Sequence, residues 1–257
     1  MPIPYFEQPR LSLGPLTIHA FGALVAAAVI VGSKVVDRRA QTEGLDPDMA
    51  KRLVAWILIP GFIVAHVFDR LVYFPHEWIK NPISIFWIWQ SLSSFGGFLG
   101  VVIGAWMFAR RYKTKGDTWR YLDLIAFGFV FGWVFGRLGC TLAFDHPGRE
   151  TTSFLAQYYS DGKARFNLGM IEAAYFVPLS GIFFLLGRRR RGAGFFVGML
   201  CLFYGPFRFF LDFARHIDVR YLGLTPAQWG SLLVTIASIG ILRMAYNDSP
   251  EPPQTTP

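Results

Sequence analysis

The 257-residue sequence is 53% hydrophobic and 17% aromatic but only 16% charged, and its mean hydropathy is +0.37. Soluble domains carry roughly 25% charged residues, so this composition excludes a fully water-covered surface and implies one helical membrane bundle. The formal net charge of +8 would suit nucleic acid, but the basic residues fall mostly between apolar runs, where they set orientation, so no nucleic-acid partner is expected.

In chain order the apolar runs are Leu16–Val36, Leu53–Phe74, Leu92–Ala109, Tyr121–Ala143, Asn167–Leu186, Ala193–Asp212 and Pro226–Ala245. Each is close to the ~20 residues that cross the hydrocarbon as a helix. The predicted fold class is therefore an all-α polytopic membrane protein of about seven spans, with interfacial segments on the extracytoplasmic side. The first run follows a polar, Pro-containing segment with no basic region ahead of it, so it is read as a retained span and not as a cleaved signal peptide. After the second run, Pro75–Gln90 carries Trp78, Trp87 and Trp89 and suits an interfacial helix.

The third run begins FGGFLGVVIG, so Gly96, Gly100 and Gly104 recur every fourth residue, a spacing for close helix packing. The Gly96–Gly97 pair at its start would also leave room for a ligand. Between the fourth and fifth runs, Asp145–Phe166 is the one sizeable hydrophilic excursion on its side. Residues 1–246 are read as a single transmembrane domain, and the Pro-rich polar tail 247–257 is expected to be disordered. Cys140 and Cys201 form no disulfide framework and are read as buried free thiols.

Lys and Arg number fifteen in one set of alternating connections and seven in the other. The positive-inside rule then places the amino terminus outside and the carboxyl terminus in the cytoplasm. Against that topology, ionisable residues within spans are informative, because each is costly in lipid and functional by default. They are His19, His66, Asp69, Arg70, Asp123, Arg137, Glu172, Arg208 and Asp212. Asp123 belongs to the cytoplasmic side and is expected to cap a helix. Arg70, Arg137, Glu172, Arg208 and Asp212 fall in the outer third, with Asp145 and His146 at the mouth of the fourth span.

Arg208 and Asp212 at i, i+4 would also serve as a plain ion pair, and Asp69–Arg70 as interfacial snorkelling. Arginines gathered at one depth nonetheless suit phosphate oxygens, which their planar forks match. A phospholipid headgroup is the natural ligand. No metal or other cofactor is implied.

The run Gly136–Gly148 (GRLGCTLAFDHPG) resembles the signature of the prolipoprotein diacylglyceryl transferase family, commonly G-R-x-G-N-x-x-N-G-E-x-x-G. Gly136, Arg137, Gly139 and Gly148 match, and Asp145 stands for the glutamate. Other blocks follow in the same order: LGPLTIHAFGAL (Leu13–Leu24), LSSFGGFLG (Leu92–Gly100), NLGMIEA (Asn167–Ala173), YGPFRFFLDFAR (Tyr204–Arg215) and LTPAQW (Leu224–Trp229). The resemblance runs from about Leu13 to Tyr246.

It implies a bacterial inner-membrane enzyme. The reaction moves a diacylglyceryl group from phosphatidylglycerol to the lipobox cysteine thiol of a prolipoprotein, and glycerol phosphate leaves. The resemblance gives Arg137 and Arg208 the lipid phosphate. It makes Asp145, Glu172 and Asp212 orienting or proton-handling groups, and Gly136, Gly139, Gly148, Gly96, Gly97 and Tyr204 lining. The departures are specific. Phe95 stands at the family's histidine, assigned there as base for the thiol, Phe21 at a tyrosine and Cys140 at the signature asparagine. Phe166-Asn167 stands at a His-Pro. Three possibilities stay open: the base has moved, with His146 the candidate; the thiol ionises unaided; or the reaction is lost, leaving a relative that binds lipid or preprotein. A transporter would place ionisable groups near the midplane and show internal repeats, and neither pattern is present.

Overall fold

The computed structural model describes residues 2–13, 16–86, 92–112, 118–145, 147–215 and 219–248. His146, Trp87, Trp89 and the tail beyond Asp248, all singled out above, lie outside the described residues. The chain divides into two compact units: residues 1–39, 126–190 and 210–217 form the first, and residues 40–125, 191–209 and 218–257 the second.

The helical membrane architecture expected from hydropathy is present. Among the described residues, six helices are long and apolar enough to span: Ala20–Glu43 (α1), Pro47–Phe68 (α2, continued by a π turn to Tyr73), Thr118–Ala143 (α5), Leu168–Leu186 (α6), Phe195–Leu211 (α7, continued to Ala214) and Pro226–Asn247 (α8). The third predicted span is Ser94–Tyr112 (α4), a helix of 19 residues whose glycines and terminal Arg110 and Arg111 dilute its hydropathy. Pro75–Lys80 (α3) and a 3-10 turn at Pro82–Phe86 occupy the predicted interfacial segment. The helix breaks at Asn81 because Pro82 disfavours helical backbone in the residue before it.

The first apolar run is not helical from its start. Arg10–Leu13 (β1) and Leu16–His19 (β2) pair antiparallel, Arg10 opposite His19, and α1 begins only at Ala20. The β-branched Thr17 and Ile18 suit a strand, and the Ala-rich stretch after them a helix.

The hydrophilic excursion folds into strands. Pro147–Glu150 (β3), Ala156–Tyr158 (β4) and Ala164–Asn167 (β5) form a three-stranded antiparallel sheet with β5 in the middle. Ile3 adds a parallel bridge to Gln157 at the β4 edge, which closes that edge against further pairing. On the sheet surface Arg165 donates to Asp161 at 2.7 Å and so holds that carboxyl below its usual range. Beneath it, burial pushes the Tyr159 phenol up to about 12.

In the first unit α1 meets α5 through small residues: a Cβ on Gly132 would lie 2.7 Å from the Ala28 carbonyl oxygen. α5 meets α6 through Phe129, Trp133 and Phe176, and Ser180 donates to the Val130 carbonyl. Arg39 stacks over Phe127 and donates to the Gly187 carbonyl.

In the second unit α2 and α4 pack along the glycine stripe. A Cβ on Gly96 would lie 2.8 Å from the Val64 carbonyl oxygen, and Gly100 and Gly104 are closed off by Pro60 and Trp56. Close packing is thus what the stripe does. Asp123 caps a helix as expected, but that helix is α7, since its carboxylate accepts from the Gly194 and Val197 amides at 2.8 Å. A full capping box, Thr225 with Gln228, starts α8.

Candidate active site

The first unit buries an ion pair inside the membrane-spanning region. Arg137 lies near the end of α5 and Glu172 in the first turns of α6; Arg137 Nε is paired with Glu172 Oε2. Both side chains are shielded, Glu172 almost completely. The guanidinium also lies over the Trp133 ring, 4.6 Å from its centroid, and Nη1 is 4.0 Å from Cys140 Sγ. Stacking and pairing fix the plane of the fork, which a flexible lysine could not reproduce.

Local sequence accounts for this placement. Asn167 caps α6 by accepting from the Met170 amide, while its Nδ2 donates to Gln157 and to the Thr141 carbonyl. One side chain therefore ties sheet, α5 and α6 together at the pair. Gly169 lets the helices approach, because a Cβ there would lie 3.0 Å from the Thr141 amide nitrogen and 3.2 Å from the Arg137 carbonyl oxygen. Asparagine immediately before an apolar run is a helix-start signal. The ties of Asn167 to Gln157 and Thr141 are tertiary, and no local pattern names them.

The signature glycines have different surroundings. Beside Gly136 a Cβ would meet nothing within 4 Å, so the chain there faces open space. Gly139 sits against Phe21 and Leu24 of α1. Gly148 is enclosed: a Cβ would lie 2.6 Å from the Ala214 carbonyl oxygen and 2.8 Å from the Phe166 Cβ, and Gly148 bridges Arg215. Asp212 is buried beneath that bridge with Arg215 Nη1 at 3.7 Å. Asp145 is exposed just past α5, its amide donating to the Cys140 carbonyl at 3.3 Å. Cys140 and Cys201 are free thiols, each only partly buried.

Phe144 ends α5 in left-handed backbone, φ 54°. The resembling signature carries glycine at this place, and glycine is the residue that adopts such backbone without strain. Here the turn is kept with a phenylalanine whose ring packs on Tyr5, Phe6 and Tyr159 at 5.0, 5.3 and 5.4 Å. Phe144→Ala keeps the strain and loses the packing, with an expected loss of about 2–4 kcal/mol. Phe144→Gly should recover about 1 kcal/mol of that by releasing the strain. Thermal unfolding of both variants checks the order.

The second unit holds the other arginine. Arg208, Tyr204 and Gly205 of α7, Phe95 and Phe98 of α4, and Ala227, Gly230 and Ser231 of α8 line a narrow cavity of about 20 Å³, room for about one water. The Phe95 ring lies on Gly230, where a Cβ would come within 2.8 Å of its Cε2, and edge-on to Phe68 at 5.1 Å. Gly97 has only Ala65 near its Cβ position, at 3.9 Å, whereas Gly96 is sealed by α2. In the same unit Arg70, nearly buried, donates to Asp69 and Glu77 and lies over Phe74. Those contacts make Asp69–Arg70 a paired cluster. His66 is buried, and among the described residues neither ring nitrogen has a hydrogen-bond partner.

Among the described residues no group of His, Cys, Asp and Glu could hold a metal ion. The described charged groups are a stacked, ion-paired guanidinium beside open space and a second guanidinium on an aromatic cavity. Both suit an anion with several oxygens.

The profile of the family described as prolipoprotein diacylglyceryl transferase matches residues 9–244. Among relatives, the phosphatidylglycerol–prolipoprotein diacylglyceryl transferase of Tolumonas auensis is 25% identical over 246 residues, covering 93% of this chain and 95% of its own. The proteins of the same name from Pseudomonas fluorescens SBW25 and Pseudomonas putida F1 are each 28% identical; the first covers 100% of this chain and 99% of its own, the second 97% and 98%. With the profile spanning nearly its whole length, this chain belongs to the prolipoprotein diacylglyceryl transferase family.

Proposed function

We propose that this protein transfers the diacylglyceryl group of phosphatidylglycerol to the cysteine thiol of a prolipoprotein lipobox. The thiol sulfur forms a bond to the terminal glyceryl carbon, the carbon–oxygen bond to phosphate breaks, and glycerol phosphate departs with that electron pair. The thiol proton goes to a base. The observation that carries the reading is the buried Arg137–Glu172 pair beside the open face of Gly136. A fork held rigidly by Glu172 and Trp133 is set in advance for charge growing on a leaving phosphate, and such preorganisation is often the largest catalytic term.

On the sequence grounds given above, Arg208 shares the phosphate and Asp212 orients an arginine. Asp145 and His146 handle the proton, Tyr204 and Gly97 line the binding region, and Gly96, Gly139 and Gly148 serve it by close backbone packing. The direct test is an assay with labelled phosphatidylglycerol and a lipobox peptide, together with rescue of a strain depleted of its own transferase. Label in the peptide and restored growth are expected; a well-expressed protein that does neither overturns the reading. The alternative, a relative that binds lipid or preprotein without turnover, draws on Phe95, whose ring is packed on Gly230 where an imidazole would have to stand.

We further place the protein in a bacterial inner membrane with its amino terminus extracytoplasmic and its carboxyl terminus cytoplasmic. The charge count supports this. Reporter fusions at Gly116 and Gly192 should read cytoplasmic, and one at Gly162 extracytoplasmic. Any one reversed overturns the orientation.

A further inference from the structure

The turn that precedes α8 is built to hold a leucine out of the protein. Tyr221 and Leu224 exchange both backbone hydrogen bonds, at 2.8 and 3.2 Å, around Leu222 and Gly223. Both central residues have positive φ, 52° and 84°. A two-residue turn of this kind favours Asn-Gly or Gly-Gly, because a branched or bulky side chain is strained at positive φ. Leu222 carries that strain and gains no packing for it, being 93% exposed.

The turn is also clamped from both sides. The Tyr221 hydroxyl donates to the Val72 carbonyl at 2.6 Å, and the Trp229 indole N–H donates to the Tyr221 carbonyl at 2.9 Å. Strain maintained by its surroundings is a pointer to use.

The outer surface of α8 says what Leu222 meets. Trp229, Leu232, Leu233, Ile236, Ile239, Met244 and Tyr246 are its exposed large hydrophobic residues, at helical spacing. Trp229 and Tyr246 bracket the apolar ones and stand about 25 Å apart along the axis at 1.5 Å per residue. That is near the ~30 Å hydrocarbon thickness, and tryptophan and tyrosine mark its two borders. The turn lies just beyond Trp229, hence at headgroup depth, with exposed Val219 and Arg220 beside it. Among the described residues Arg220 has no acidic partner, and it matches anionic headgroups.

One turn into α8, Ala227 and Gly230 line the Arg208 cavity. We infer that the Tyr221–Leu224 turn is a rigid interfacial wedge, which seats Leu222 in the headgroup–acyl boundary of an anionic phospholipid layer beside that cavity. In terms of the function proposed above, it sets the depth at which phosphatidylglycerol is presented.

Two readouts test it, and only the second depends on the transferase reading. First, a nitroxide is placed at Leu222→Cys in a Cys140→Ser, Cys201→Ser background, in vesicles of phosphatidylglycerol and phosphatidylcholine. The label should be reached by oxygen more than by an aqueous nickel chelate, while a label at Gly162→Cys shows the reverse. A Leu222 label as open to the chelate as Gly162 overturns the wedge. So does one that becomes shielded only when lipobox peptide is added, since the surface would then belong to the peptide.

Second, Leu222→Asp and Leu222→Gly should each raise KM for phosphatidylglycerol in bilayers about tenfold, the worth of burying one leucine. Both should leave kcat, and KM for short-chain lipid in micelles, near the parent values. Leu222→Gly relieves the turn strain, so its defect cannot come from a damaged fold. Equal loss in both media, or no loss in bilayers, overturns the proposal.

Discussion

Arg137→Lys is expected to lower transfer by about 10²–10³-fold, the cost of removing one donor aimed at developing charge. Lysine keeps the charge but has neither the planar fork that meets phosphate oxygens in pairs nor the flat face that lies on Trp133. Arg137→Ala should be at least as severe but is harder to interpret, because it leaves Glu172 buried without its partner. Breaking a buried pair from one side destabilises by about 3–5 kcal/mol.

Arg137→Met combined with Glu172→Leu separates the two effects. Replacing both members by apolar residues of similar volume is often neutral for stability, so the double variant should unfold near the parent temperature and still transfer nothing measurable. Transfer by Arg137→Lys at the parent rate, in the labelled-lipid assay, would falsify the assignment of Arg137 to phosphate. Recovery of activity in the apolar double variant would show the pair to be structural only.

The sequence made the spans legible because hydropathy acts over ~20 residues, long enough to outweigh local exceptions. Asp123 was readable as a cap, although the helix it caps lies far along the chain and is named by no local pattern. The strands were not legible. Each has three or four residues, and β3 and β5 are mostly polar, so neither length nor alternation marks them. The start of α1 was misplaced for a related reason: a hydropathy window does not distinguish the apolar strand Leu16–His19 from the first turn of a helix.

The site was half legible. Arg137 and Glu172 stood out as charges in lipid, but their pairing depends on Gly169 and Asn167 bringing α6 onto α5. Phe144 shows the limit most directly. A phenylalanine announces no left-handed backbone, and only the comparison with a glycine in the family pattern hints at one.

The remaining large effect concerns the proton on the thiol, and the pH profile decides between the open routes. A cysteine thiol titrates near ~8.5 in solution, so attack by unaided thiolate gains about tenfold in rate per pH unit up to that value. A histidine base, titrating near ~6.5, instead gives a rate that levels off above about 6.5.

With His146 as base, the parent protein should show the plateau, and His146→Ala should show the unbroken rise. The loss is then about 100-fold at pH 6.5 and small at 8.5, since the thiolate fraction supplies what the base no longer does. Asp145→Asn should give a weaker loss of the same form if the carboxylate only polarises the imidazole, and a stronger one if it also orients an arginine. Phe95→His tests the route from the other side. It places an imidazole on the wall of the Arg208 cavity, where the phenylalanine ring now lies on Gly230. Histidine is smaller than phenylalanine, so the cavity widens and the fold should tolerate the change. In the His146→Ala background it should restore part of the plateau. A parent profile that already rises to pH 8.5, unchanged by His146→Ala, would remove His146 from the reaction and leave unaided thiolate attack.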